Sequence, residues 1–184
     1  MHRTIFSLLV ASVVALAACG KDPVPSAATG GGAAAPAGAV SRFALGKDPG
    51  EAQSVDQALK SAPKDAVVVV GRVRDLTPGF AAFTLVDAGL DFCGHGADTM
   101  ENCPTPWDYC CIPAEDVAAR TIPVAVKEKG DVAAVPKLPE LRRLDLVVVT
   151  GRLVKDEHGS VALEATGWHR RERPDIPASV VFPE

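Results

Sequence analysis

The reactive side chains concentrate in one stretch. Between Asp91 and Cys111 the chain reads "DFCGHGADTMENCPTPWDYCC", which holds four of its five cysteines, a histidine, four carboxylates and a tryptophan. Three chemistries suit these residue types. Cys93, Cys103, Cys110 and Cys111 can form two disulfides. Neighbouring cysteines rarely bond each other, because the peptide between them would be strained, so Cys110 and Cys111 pair separately with Cys93 and Cys103 in one of two ways. The same sulfurs, with or without His95, match the ligand set of tetrahedral Zn²⁺ or of Cu⁺. Against zinc stands the spacing, since no Cys-x2-Cys knuckle is present. The third chemistry, thiol–disulfide exchange, normally uses a Cys-x-x-Cys motif at a helix N-terminus, and none occurs here. Asp91, Asp98, Glu101 and Asp108 lack the regular spacing of a calcium loop. His95, between two glycines, reads more simply as a loop histidine than as a ligand.

The compartment bears on that choice. Met1-His2-Arg3 is a short positive region, and Ile5 to Ala18 is almost wholly apolar, which predicts an export signal too short for a membrane span. Leu16-Ala17-Ala18-Cys19 resembles the bacterial lipobox. That resemblance implies a signal peptide at residues 1–18 and lipid attachment at Cys19, whose several acyl chains, palmitate among them, give a stable membrane anchor. Gly20 stands where aspartate would favour inner-membrane retention, so the expected location is the outer membrane, facing the periplasm. With Cys19 lipidated, four cysteines remain in an oxidising space, and an even number favours disulfides. Removing residues 1–18 also removes Arg3. Lys plus Arg then falls from 19 to 18 against 23 acids, a net charge of −5. That balance gives no support to a nucleic-acid partner.

The elements that must position the cysteines follow a consistent pattern. Residues 19–50 are expected to be a lipidated flexible tether, dominated by Gly, Ala and Pro up to about Ser41. Ser54 with Gln57 forms a capping box that opens a short helix, with Val55, Ala58 and Leu59 facing the core and Pro63 beyond its end. Strands are predicted at Ala66–Arg74, Phe80–Asp87, Thr121–Lys127, Leu146–Val154 and Ser160–Arg170. Residues 130–144 read as a polar connection, and 174–184 as a proline-rich surface tail. Two strands carry the same signature, "VVVVGRV" and "VVVTGRL", with Gly71 and Gly151 inside them. Mid-strand glycines permit the strong coiling that a small closed barrel demands. The expected fold is mainly β: a five-stranded OB-like barrel over residues 51–173, with a short N-terminal helix and a Cys-rich insertion at 91–120.

The ordered set "SVDQALK", "VVVVGRV", "FTLVD", "DLVVVTGRLVKD" and "SVALEATGWH" resembles the bacterial periplasmic OB-fold family. The resemblance covers about residues 54–172 outside the insertion. It implies an envelope barrel that contacts ligands on one face and its loops, and it does not imply an enzyme. The Cys-rich insertion is where the chain departs from that family. The expected function is therefore a non-enzymatic binding module for an unknown protein or small ligand, without a cofactor. A metal-binding protein using Zn or Cu is the alternative. A weaker candidate site is Trp168, His169 and Arg170, where an aromatic and cations together suit nucleic acid or polysaccharide. A strand-end charge run beside a core or rim tryptophan is the simpler reading of those three residues.

Overall fold

The computed structural model describes residues 41–62, 64–95, 103–176 and 180–182. The expected signal peptide, Cys19 and most of the expected tether lie outside the described residues, as do Asp98 and Glu101. Among the described residues no helix is long and apolar enough to cross a membrane.

Ser54 starts the first helix as its sequence requires. Its hydroxyl accepts from Gln57 N at 3.2 Å, and the Gln57 side chain accepts from Ser54 N at 2.9 Å, so the capping box is complete. The helix, α1 (Val55–Lys60), buries Val55 and Ala58. The two residues before it, β1 (Gln53–Ser54), run parallel to β2 (Lys64–Leu76). Along β2 burial alternates: Val67, Val69, Gly71 and Val73 point inward, while Arg72 and Arg74 point outward. This is the period of a strand with one face on a core.

Next come β3 (Ala82–Val86), α2 (Ala114–Ala119), β4 (Thr121–Ala125), β5 (Lys127–Glu128), β6 (Asp131–Val132), β7 (Leu146–Lys155) and β8 (Val161–Glu172). The sheet order is β1-β2-β3-β4-β8-β7, and β7 pairs back onto β2. Five strands thus close into a barrel, with only the β4–β8 contact parallel among them. This is an OB-like barrel, as the strand pattern predicts. A small hairpin, β5–β6, turns through Lys129 and Gly130, both at positive φ, the backbone of a tight two-residue turn.

The repeated valine–glycine signature has a structural use. Strand register shifts between Thr150 and Gly151, where Gly151 faces Ala165 and Thr166 bulges out. A Cβ at Gly151 would meet Ala165 Cα at 2.9 Å and would also collide with the Glu164 carbonyl. Only glycine lets β7 and β8 approach this closely, and the bulge supplies the bend that closure needs. Inside the barrel Phe83, Leu85, Ile122, Val124, Val147, Val149, Leu163 and Trp168 are buried.

Two segments contribute more than their composition suggests. Residues 41–50, assigned to the tether by sequence, partly belong to the barrel. Phe43 is buried, and the backbone at 43–45 pairs with β8 through Leu45 N to Trp168 O (2.7 Å) and Trp168 N to Phe43 O (3.0 Å). Because β4 pairs with β8 only at Leu163 and Glu164, this strap covers part of the remaining edge. Asp48 then grips Arg171, whose guanidinium holds the carboxyl down to about 2. The connection at 130–144 is likewise not merely polar, since Ala133, Leu138 and Leu141 enter the barrel core. Asp145, fully buried, ends the connection. Arg173 meets it at 2.8 and 2.6 Å, and Arg142 N donates to it at 2.9 Å.

A second buried acid joins α1 to the insertion. Asp87 Oδ2 accepts from Asp56 N at 2.8 Å, and Oδ1 accepts from Gly89 N at 2.9 Å. Burial raises its carboxyl, but these backbone donors outweigh burial and hold it below the ordinary 3.8. A depressed carboxylate stabilises the fold above its unfolded-state value, and that contribution is lost as pH falls through the folded-state value. Asp87→Asn is therefore expected to cost about 1–3 kcal/mol near neutral pH. In urea titrations the gap between variant and parent should narrow steadily below about pH 4.

Candidate functional site

The insertion leaves the barrel at Asp87 and returns at Arg120, whose carbonyl accepts from Asp87 N at 2.9 Å. Val86 pairs with Thr121 just inside that neck. Between these points the chain builds a small core of its own: Val86, Leu90, Phe92, Tyr109, Val117 and Leu144, with Trp107, Ile112 and Ile176 packed around it. Val86 and Leu144 belong to the barrel wall and its approach, so the insertion is seated on the barrel. Arg72, from the first valine–glycine signature, cements the junction. Its guanidinium lies 5.7 Å from the Phe92 ring centroid and donates to the Leu144 carbonyl at 3.2 Å. Arg152, the matching arginine on β7, instead forms an exposed pair with Glu164. The C-terminal tail crosses the insertion, with Phe182 against Trp107.

Within this frame the backbone brings the cysteines together. Cys93 N donates to Asp108 O and Gly94 N to Pro106 O, each at 2.7 Å. The two ends of the Cys-rich stretch thus run side by side, and Cys93 faces Cys110. Their sulfurs are 2.8 Å apart. The sulfurs of Cys93, Cys110 and Cys111 all lie within 4.8 Å of one another. Cys103 contacts the same region through Thr105, whose hydroxyl is 4.0 Å from its sulfur and 3.6 Å from that of Cys110. Cys110 and Cys111 are exposed, while Cys93 and Cys103 are half-buried.

The environments of the two facing sulfurs differ. Burial, aided by its hydrogen bond to Cys110, pushes the Cys93 thiol up to about 12. The hydrogen bonds that Cys93 and then Thr105 donate hold Cys110 below its ordinary value. Cys93, Cys103, Cys110 and Cys111 are all free thiols, so the two expected disulfides are not formed in this structure. Two thiolates sharing a tetrahedral zinc stand roughly 3.8 Å apart and two disulfide sulfurs about 2.0 Å apart, and the 2.8 Å between Cys93 and Cys110 lies between those values. His95 and Cys103 lie outside the three-sulfur group. His95 sits 3.7 Å from Asp91 and packs edge-on against Phe92.

No family model matches the chain, and no curated protein matches it either. Among solved structures it is similar to "the hypothetical protein ygiW from E. coli" at 17% identity and a TM-score of 0.35. That match covers 66% of this chain and 90% of the other.

The second candidate set disperses. Trp168 is 1% exposed, in edge-on contact with Phe83 and tilted against Phe43, and its indole donates to Glu140 at 3.0 Å. Its ring is a core element with no free face for stacking a base or a sugar. His169 Nδ1 lies 3.1 Å from the Leu45 carbonyl, and Arg170 donates to the Glu140 carbonyl at 2.8 Å. These three residues hold the strap and the 130–144 connection against β8.

Tyr109 packs with Val86, Leu90 and Phe92, with Trp107 against the same cluster. The tyrosine is 3% exposed at the centre of the insertion core, burial raises its hydroxyl far above the ordinary range, and among the described residues that oxygen has no hydrogen-bond partner. An unpartnered buried hydroxyl costs about 1–3 kcal/mol of desolvation without return. Tyr109→Phe is therefore expected to leave the melting temperature unchanged or raise it. Tyr109→Ala, which empties the insertion core, should cost about 3–5 kcal/mol in a denaturant titration.

Proposed function

We propose that this protein is a non-enzymatic binding module of the bacterial cell envelope and a member of the periplasmic OB-fold family. In this reading Cys19 carries the lipid anchor, the outer membrane holds the protein facing the periplasm, and the barrel presents the insertion to a protein or small ligand. The insertion is closed by a Cys93–Cys110 disulfide, and Cys103 and Cys111 form the second bridge. The observation that carries the proposal is the seating of a separate small core on the barrel wall, with Cys93 and Cys110 at 2.8 Å. A loop with so few aliphatic residues gains order from covalent closure, about 2–4 kcal/mol per bridge. The acidic balance of the chain and the burial of Trp168 both count against nucleic acid as the ligand.

A second reading draws on the three sulfurs within 4.8 Å. If the thiols stay reduced, Cys93, Cys110 and Cys111 supply the soft ligands of a Zn²⁺ or Cu⁺ site once Cys93 and Cys110 move apart.

Two measurements test these proposals. Peptide mapping of the non-reduced protein isolated from the periplasm should recover Cys93 joined to Cys110 and Cys103 joined to Cys111. Four free thiols with about one equivalent of metal by elemental analysis would replace the disulfide reading with the metal one. For the anchor, Cys19→Ser should abolish incorporation of labelled palmitate and shift the protein from the membrane to the soluble fraction. Unchanged membrane association of that variant would reject the lipid anchor.

A further inference from the structure

The facing Cys93 and Cys110 sulfurs are unequally exposed, which a purely structural staple does not require. We propose that the Cys93–Cys110 pair exchanges with external thiols and disulfides, Cys110 being the sulfur that bonds to the outside partner and Cys93 the thiol that displaces it. This rests on the disulfide reading above and extends it.

Three observations support the assignment. Cys110 is exposed and Cys93 is half-buried beneath the insertion, so an outside molecule reaches Cys110 first. The two sulfurs are 2.8 Å apart, so Cys93 is already within striking distance of a partner attached to Cys110. The Thr105 hydroxyl lies 3.6 Å from the Cys110 sulfur, placed to donate to a thiolate there.

The chemistry balances with a small disulfide, R–S–S–R, as the oxidant. The Cys110 thiolate attacks one sulfur of the disulfide, its S–S bond breaks, and one R–S⁻ departs. Cys93 then gives its proton to solvent and attacks the Cys110 sulfur, the mixed disulfide breaks, and the second R–S⁻ departs. Two electrons pass from the cysteine pair to the external disulfide, and the two departing thiolates take up protons. The reverse sequence, started by an external thiol attacking Cys110, opens the bridge. Opening releases the loop between Cys93 and Cys110 from its covalent closure while the insertion core beneath it remains. The binding surface of the module then responds to the thiol–disulfide balance around it. Cys111, whose sulfur lies within 4.8 Å of both partners, is a competitor for Cys93 and must be removed to isolate the pair.

The experiment uses full-length protein in graded mixtures of reduced and oxidised glutathione, quenched with acid, alkylated and mapped by peptide mass. Cys103→Ser with Cys111→Ser leaves only the proposed pair beside Cys19. This variant is expected to open and close as one two-electron couple without denaturant. Adding Cys93→Ser should trap glutathione on Cys110, at least roughly tenfold above the adduct on Cys93 when Cys110→Ser is added instead. Preferential labelling of Cys93, or a bridge that opens only in denaturant, would overturn the proposal. If the substituted chains do not fold, the same mapping on the parent protein decides: glutathione on Cys110 supports exchange, and inert bridges reject it. A parent protein that lacks a Cys93–Cys110 bridge on isolation would instead refute the disulfide reading beneath it.

Discussion

A buried carboxylate at Asp87 holds the two halves of the structure in register. Its oxygens accept from the first turn of α1 and from the turn that opens the insertion, and its backbone N–H closes the neck against Arg120. A charge withdrawn from water in this way needs its donors fixed in place, which ties the helix, the end of β3 and the start of the insertion to one another. The barrel positions the acid, and the acid positions everything that departs from the barrel between β3 and β4. Asp145 plays the corresponding part on the far side of the insertion. It anchors Arg173 and Arg142 next to Leu144, a non-glycine residue held at a φ of 68° where the barrel and insertion cores meet.

The two cores differ in kind. The barrel core is aliphatic and aromatic, closed on itself and sealed by strand pairing. The insertion core is small, contains a tyrosine whose hydroxyl lacks a partner, and depends on Arg72 and the barrel wall for one side. Such a layer has little reserve of buried apolar area, so its seating on the barrel contributes a large share of its order. The same economy explains why its cysteines sit near the surface, since the loop has no deeper interior in which to hide them.

Much of the barrel was legible in the residues. The capping box at Ser54, the alternation in β2 and the paired valine–glycine runs each reflect local physics that a sequence displays directly. Leu138 and Leu141 were harder to place, because a few leucines spaced among prolines and charges show neither strand nor helix period. Phe43 and Leu45 were hidden by the tether composition around them, and only the open edge of β8 gives them a role. In the site, the gathering of the cysteines into one stretch could be read in advance. The choice of Cys110 as the neighbour of Cys93 depended on the side-by-side run of Cys93–Gly94 with Pro106–Asp108, a contact across ten or more residues. Trp168 reads from its strand-end position as a core or rim residue, and the barrel uses its large ring to fill the centre.

The strap at residues 43–45 has a mechanical consequence. A chain tied to a surface at its N-terminal end transmits tension into the folded domain at Ser41. That tension first meets the Ser41–Glu140 hydrogen bonds and the Arg42–Glu128 pair, then the Phe43 side chain lodged among barrel residues, the pairing with Trp168 and the grip of Arg171 on Asp48. In a chain anchored as proposed, the strap would act as a strain relief, taking that load before any barrel seam does.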